Sequence, residues 1–149
     1  KFVNSADSEI VALGKINTKT SAIVNEKFKT ELNLKNNYNA DGSIKLIAYE
    51  PNQLTYECNS TSDNFIVFSE IYYPKGWNCY VNGTLTPYAQ VNYVLRGMPI
   101  KAGKNNIVFK FEPIAYNKGN TYAMLGSIIL IIVCGFAFYK HKQNGVIVS

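Results

Sequence analysis

The side chains best suited to binding chemistry in this sequence are aromatic. Six aromatic residues cluster in the middle of the chain, namely Tyr72, Tyr73, Trp77, Tyr80, Tyr88 and Tyr93. Flat rings on a β-sheet surface can stack on the apolar C–H faces of sugars, and Arg96 or Glu70 can hydrogen-bond the hydroxyl groups. The alternative interpretation is structural: Trp77 fills a core next to Phe65 and Phe68, and the Tyr rings pack between strands.

A conventional catalytic set cannot be assembled from the sequence. The single histidine, His141, lies next to Lys140 and Lys142, away from other polar clusters. The ten carboxylates are scattered; Glu50 and Glu57 lie across a turn from each other, and carboxylates beside a turn are usually solvated. Three cysteines and one histidine do not give ordinary zinc-site spacing, and no Gly-rich phosphate loop occurs. We therefore predict no catalytic residue, metal or cofactor in this chain.

The net charge of +5 is spread along the sequence. No block of Lys or Arg of the kind that binds nucleic acid occurs. We therefore expect no nucleic-acid partner.

One segment near the end of the chain predicts a membrane span. Residues 122–139 carry no charge. As a helix they would extend about 27 Å, close to the ~30 Å hydrocarbon core of a bilayer. Lys140 and Lys142 follow directly, whereas only Lys118 is near on the other side. The positive-inside rule then predicts a cytoplasmic tail at 140–149 and an outer-face domain before the helix.

The preceding residues indicate an antiparallel β-sandwich over 41–121, with contributions from 20–40, so that the whole chain is mainly β with one C-terminal transmembrane helix. Strands are predicted at 44–49, 54–58, 65–68 (a central strand), 77–81, 91–95 and 107–111. Asn82-Gly83 is a strong hairpin signal, because both residues accept positive φ.

Residues 1–40 are predicted to be a connection with a short helix and a strand. The helix would begin with Asp7 as its N-cap and end at Gly14. A strand is predicted at Ser21 to Asn25, and an edge strand at Glu31 to Leu34.

Two cysteines, Cys58 and Cys79, fall on the apolar faces of predicted strands. On the outer side of a membrane they could form a disulfide if their Cα atoms lie within about 7 Å. The alternative is that both are buried free thiols.

The stretch SEIYYPKGWNCYVNG, at 69–83, resembles the signature of the YfhO-like family of bacterial multi-pass membrane proteins. Two flanking stretches are similar to the same family, YEPNQLTYEC at 49–58 and VLRGMPIKAGKNNIVFKFEP with AYNKG at 94–119. The resemblance covers about residues 7 to 139. Asn82 stands where the family pattern has Asp, and Lys75 lengthens the usual Pro-Gly-Trp by one residue.

The resemblance implies a role in the cytoplasmic membrane of a bacterium. Family members resemble GT-C type glycosyltransferases, which use sugars linked to polyprenyl phosphate on the outer face, and some modify cell-surface polymers. Their catalytic acidic residues belong to loops between early membrane helices. This chain would then be a non-catalytic C-terminal part, whose partners are the bilayer, the N-terminal membrane region of the same protein, and a glycan or lipid-linked sugar.

Two other functions stay open beside this one, a membrane-anchored glycan-binding module and a structural surface domain. The residues expected to form a ligand-binding or structural motif are Glu70, Tyr72, Tyr73, Pro74, Gly76, Trp77, Asn82, Gly83 and Arg96. For Glu70, Pro74, Gly76 and Trp77 we favour the structural role, in which they fix the exit from the central strand and aim Trp77 into the sandwich.

Overall fold

The computed structural model describes residues 1–39 and 41–145. The chain divides into two compact units, residues 1–111 and the residues from Glu112 onward. The first unit is rich in strands, and the described part of the second contains one long helix.

The elements of the first unit are, in chain order, β1 (Phe2–Val3), α1 (Ala6–Leu13), β2 (Val24–Asn25), α2 (Glu26–Glu31), β3 (Ser43–Glu50), β4 (Gln53–Ser60), β5 (Asn64–Ile71), β6 (Trp77–Val81), β7 (Thr84–Leu85), β8 (Ala89–Val91), β9 (Leu95–Ile100) and β10 (Gly103–Phe111). Within the described ranges they form two five-stranded sheets. Sheet A has the order β1-β2-β8-β9-β5, and sheet B has the order β3-β4-β10-β6-β7. All pairings are antiparallel except β1 with β2.

The main core lies between the two sheets. Leu54, Tyr56 and Cys58 of β4 are buried, as their alternation with polar residues predicts. They pack with Phe68 of β5 and Phe109 of β10, and the Phe68 and Phe109 rings are 5.0 Å apart, edge to face. The two sheets thus form the sandwich that the sequence predicts, followed by one C-terminal helix.

A second core covers the opposite face of sheet A. Val24, Phe28, Leu32 and Leu34 pack there against Ala89 and Val91 of β8. The predicted edge strand at Glu31 to Leu34 is wrong, because α2 begins at Glu26, buries Phe28 against the sheet and ends at Glu31, where a turn follows. Tertiary packing thus outweighs the weak local pattern of this segment.

The N-terminal segment is also held by hydrogen bonds to the turn between β8 and β9. The Ile23 amide donates to the Asn92 side-chain oxygen over 2.8 Å, and the Asn92 amide donates to the Ile23 carbonyl over 2.9 Å. The Tyr93 amide donates to a carboxylate oxygen of buried Glu9 over 2.9 Å. These bonds join residues 69 and 84 positions apart.

Three further predictions need correction. The predicted strand at Val91 to Leu95 is a turn, in which Asn92 and Tyr93 have positive φ. The predicted central strand at 65–68 belongs to β5, which lies at an edge of sheet A. The N-cap of α1 is Ser5, which forms a capping box with Ser8, and Asp7 lies within the helix. Gly14 does end α1, as predicted.

Cys58 and Cys79 are buried free thiols. They lie on either side of β10, Cys58 opposite Asn105 and Cys79 opposite Phe109. Two strand spacings and a four-residue offset separate their Cα atoms by roughly 17 Å. A disulfide needs less than about 7 Å, so the register of sheet B excludes this bond. Burial raises the pKa of Cys79 to about 12.

The second unit contains α3 (Ile114–Gly145). Within its stretch Lys118–Lys142 a window of 18 residues has a mean hydropathy of 2.2, and among the described residues α3 is the one helix that is long and apolar enough to cross a membrane. At 1.5 Å per residue this stretch extends about 38 Å, which exceeds the ~30 Å hydrocarbon core. It contains the predicted span at 122–139.

Candidate functional site

Glu70 lies on the interior face of β5. It continues the alternation of this strand, in which Phe68 is buried and Ser69 is exposed. Phe68 pairs with Arg96 and Ile71 pairs with Leu95, so the pairing register with β9 shifts at Ser69 and Glu70. One oxygen of Glu70 accepts a 2.5 Å hydrogen bond from the Tyr56 hydroxyl. Burial, followed by this hydrogen bond, raises the pKa of Tyr56 well above its usual value.

Arg96 is a buried cation between two aromatic rings, and only 3% of it is exposed. Its guanidinium carbon lies 4.6 Å from the centre of the Trp77 ring and 4.9 Å from that of Phe109. Its Nε donates to the Ile71 carbonyl over 2.8 Å. Burial lowers the pKa of Arg96, although the nearby Tyr88 hydroxyl and Glu70 carboxylate act in the opposite direction.

Arg96 and Glu70 both keep hydrogen-bonding capacity that the described residues do not use. The Nη1 atom of Arg96 and the second carboxylate oxygen of Glu70 are buried without a partner in that part of the chain. Unsatisfied buried polar atoms are rare and costly in native proteins. Since one atom is a donor and the other an acceptor, the interior next to Trp77 is polar and charged in spite of its aromatic walls.

Trp77 packs differently from the sequence prediction. It is partly buried, and its ring lies 5.4 Å from that of Phe111. Phe65, one of its predicted neighbours, packs instead against the second core on the other face of sheet A. The Trp77 carbonyl accepts a 2.9 Å hydrogen bond from the Tyr88 hydroxyl, which ties β6 to the approach to β8. Trp77 therefore forms a wall between the buried Arg96 and the surface.

Gly76 has no room for a side chain. A Cβ atom at this position would lie 2.3 Å from the Cε2 atom of Phe111. The Phe111 ring thus lies directly over the Gly76 backbone, and Trp77 packs beside it. This contact supports the predicted structural role of Gly76, whereas Pro74 and Tyr73 in the same loop are exposed.

A groove of about 320 Å³ opens at the edge of sheet B, beside β6. Its walls are Tyr72, Pro74, Trp77, Asn78, Cys79, Leu85, Thr86, Pro87 and Tyr88. The volume falls at the lower end of the ~300–1,000 Å³ found for small-molecule sites. Its lining joins aromatic rings to proline rings and a hydroxyl, a composition suited to a ligand with both apolar faces and polar edges. We call it the Trp77 groove.

The structure brings only some of the predicted site residues to the Trp77 groove. Tyr72, Pro74 and Trp77 line it, whereas Tyr73 does not. Glu70 and Arg96 belong to the interior network described above. No sequence motif marks Leu85, Thr86 and Pro87, because Leu85 ends the hairpin and Thr86 and Pro87 lie in the short connection that follows it.

Asn82 and Gly83 form the predicted hairpin turn rather than part of the groove. Their φ angles are 51° and 84°, and Tyr80 pairs with Leu85 across the turn. Asn82 also binds the neighbouring strand, since its side-chain oxygen accepts from the Asn106 amide over 2.9 Å. The hairpin therefore places Leu85 at the groove wall.

Asp41 is the centre of a hydrogen-bond cluster that no sequence pattern indicates. Its carboxylate accepts from the hydroxyls of Thr61 and Ser62 and from the Asn64 amide, the last two over 2.7 and 2.8 Å. These bonds, that from Thr61 first, lower the pKa of Asp41. The cluster closes the end of the sandwich where β4 turns into β5. Among the described residues no group of three or more His, Cys, Asp or Glu is arranged to hold a metal ion.

Comparison with known proteins gives one family match. Residues 9–121 match the family described as bacterial membrane protein YfhO. No curated protein and no solved structure matches the chain. The matched range includes the Trp77 groove, the Arg96–Glu70 network and most strands of the sandwich, and it covers well over half of the sequence. The chain therefore belongs to the YfhO family of bacterial membrane proteins.

Proposed function

We propose that this chain is the non-catalytic outer-face β domain and last membrane helix of a glycosyltransferase of GT-C type, which acts on lipid-linked sugars in the bacterial cell envelope. In this proposal the acidic residues of the transfer reaction belong to other membrane regions of the same protein. The role of the β domain is to bind the sugar or the acceptor glycan next to the membrane.

The Trp77 groove is the observation that carries this proposal. Aromatic rings of Tyr72, Trp77 and Tyr88 face a volume of about 320 Å³, and Asn78 and Thr86 supply polar edges. Sugar rings present apolar C–H faces and peripheral hydroxyls, so they match this combination of aromatic walls and few polar groups. The buried Arg96 lies behind Trp77, and its guanidinium packs against the ring on the side away from the groove.

The proposed orientation places the β domain outside and the C-terminus in the cytoplasm. Two lysines, Lys140 and Lys142, end the apolar stretch of α3, and Lys118 begins it. This excess of positive charge after the helix is the pattern of a cytoplasmic flank. A lipid-linked sugar on the outer leaflet would then be on the same side of the membrane as the groove.

The sole tryptophan of the chain makes the proposal directly testable. The 149-residue chain in lipid nanodiscs is titrated with a polyprenyl-phosphate-linked hexose, with the sugar-free polyprenyl phosphate as control. We expect the hexose conjugate to change Trp77 emission and the sugar-free lipid to leave it unchanged. Equal responses to the two lipids, or no response to either, would contradict the proposal.

A matched pair of aliphatic variants tests whether the groove is the site. Leu85 lines the groove and is 62% exposed, whereas Ile71 lies outside it and is 70% exposed. Leu85→Ala should weaken the fluorescence response, and Ile71→Ala should leave it unchanged. If both variants weaken the fluorescence response equally, the hexose conjugate binds outside the Trp77 groove.

A further inference from the structure

The outer edge of β3 is an uncovered strand edge. β3 is the first strand of sheet B and pairs with β4 on one side. Within residues 1–39 and 41–145 its other side has no backbone hydrogen-bond partner. An eight-residue edge with free amides and carbonyls is a template for pairing with another strand, and natural proteins usually block such edges.

The same strand also exposes apolar side chains that point to the interior side of the sandwich. Ile44, Leu46 and Tyr49 lie opposite the buried residues of β4, and paired residues share a face. Even so, Leu46 is 43% and Tyr49 is 74% exposed.

The stacking of the sheets explains this exposure. The edge strand β5 of sheet A lies over β4, where the Tyr56 and Phe68 rings are 5.0 Å apart. β3 therefore extends beyond sheet A, and its residues Ile44, Leu46 and Tyr49 form an apolar ledge over which no strand of the described residues lies.

A bulge in β3 determines which residues can face each other when this edge pairs with an identical edge. Leu46 pairs with Tyr56 and Ala48 pairs with Thr55, so Ile47 is the additional residue. Beyond the bulge the alternation shifts, and Leu46 and Tyr49 point to the same face although they are three positions apart.

Among the antiparallel registers that place side chains of the same face opposite each other, the register whose dyad passes between Ile47 and Ala48 also opposes unlike charges. In this register Leu46 faces Tyr49 of the second copy on the interior side, and Lys45 faces Glu50 on the outer side. Among the described residues neither Lys45 nor Glu50 has an ion-pair partner within the chain. A two-fold axis repeats the Lys45–Glu50 pair, so the edge is complementary to itself in charge as well as in shape.

From this complementarity we propose that two copies of the chain associate through β3, antiparallel and in the register that places Lys45 opposite Glu50. The two copies of sheet B join into one ten-stranded sheet. The two apolar ledges meet at the dyad, where the Leu46 and Tyr49 side chains of both copies cover one another. The surface buried is that of a single strand pair with one side-chain layer, so the dimer is a weak one.

A charge-swap cycle on the full 149-residue chain in detergent micelles tests the proposal, with dimer dissociation measured by light scattering. Lys45→Glu and Glu50→Lys each turn two attractive pairs into two repulsive ones. Each should weaken the dimer about tenfold, given ~0.2–1 kcal/mol for a cross-strand charge pair. The double variant should return to within about twofold of the parent, since the pairs are restored with reversed sign. Lys75→Glu, on the exposed β5–β6 loop, should have no effect.

Cross-linking tests the register. Lys45→Cys and Glu50→Cys chains, both with Cys134→Ala, are mixed and oxidised. The disulfide should form between the two different variants and not between identical ones. A monomeric parent chain, a double variant as weak as the single ones, or equal cross-linking between identical variants would overturn the proposal. A dimer that tolerates both single swaps would place the contact elsewhere, such as on α3.

Discussion

The guanidinium carbon of Arg96 lies 4.6 Å from the centre of the Trp77 ring. This contact joins the inner face of sheet A to the first residue of β6 in sheet B. Cation–π contacts of this kind contribute more when the cation is desolvated, up to about 2 kcal/mol. Trp77 thus lines the Trp77 groove and also shields the buried guanidinium of Arg96 from solvent.

Replacing Trp77 with alanine should strongly destabilise the protein. The change removes the packing against Phe111 and uncovers Arg96, so we expect a loss of about 3 kcal/mol, the lower end of the cost for a large aromatic residue. Urea unfolding followed by circular dichroism measures it, since the variant has no tryptophan to observe. Tyr73→Ala, at an exposed ring of the same loop, should unfold like the parent. Equal midpoints for the two variants would contradict the packing argument.

Replacing Gly76 with alanine should also destabilise the protein, because the new methyl group would lie 2.3 Å from the Phe111 ring. Overpacking of this kind typically costs about 1–3 kcal/mol. A second change, Phe111→Leu, makes space for the methyl group. The double variant Gly76→Ala/Phe111→Leu should therefore be less destabilised than the sum of the two single variants, as measured by thermal unfolding. Additive effects would mean that the Phe111 ring is not the obstacle.

The Asp41 cluster should make stability depend on pH in the acid range. The folded-state pKa of Asp41 is lowered from its usual 3.8. Its hydrogen bonds therefore stabilise the fold above about pH 4 and are lost as the pH falls through the folded pKa. Asp41→Asn should be less stable than the parent at about pH 6, and the difference should shrink below about pH 3.

Glu31→Gln is the control for this experiment, since Glu31 is exposed and has no ion-pair partner among the described residues. Its stability should follow that of the parent across the same range. An Asp41→Asn deficit that persists at low pH would show that the carboxylate charge is not the cause.

The proposed orientation predicts the accessibility of two engineered cysteines in intact cells that produce the Cys134→Ala chain. A membrane-impermeant maleimide should label Tyr73→Cys, because Tyr73 is exposed in the β-rich unit. It should label Ser149→Cys only after the membrane is permeabilised, because the lysines after the apolar stretch favour the cytoplasm. The opposite pattern would reverse the orientation.

The strands that the sequence predicts best are those with strict alternation. β4 and β10 alternate apolar and polar residues because one face packs in the core and the other faces solvent. The sequence also predicts the Asn82-Gly83 hairpin correctly, because its turn needs two positive φ angles and both residue types accept them.

The errors arise where tertiary contacts decide the local structure. Val91 and Leu95 pack in the second core, and their apolar character made 91–95 resemble a strand, although Asn92 and Tyr93 reverse the chain between them. No local pattern reveals the Trp77 groove as a whole, because Tyr72, Trp77 and Leu85 come from three separate segments. Alternation along β5 places Glu70 on the same face as Phe68, but its contact with the Tyr56 hydroxyl depends on how the two sheets stack.

The hydrogen bonds that join Ile23 and Glu9 to the turn after β8 set the order in which this domain can be completed. They join residues 69 and 84 positions apart, and the apolar side chains from Val24 to Leu34 need β8 as their cover. At a synthesis rate of ~5–20 residues per second, the ribosome needs roughly 3 to 14 s to make the intervening 69 residues. During this interval Phe28 and its neighbours remain uncovered, so the earliest part of the domain to be synthesised is among the last to be buried.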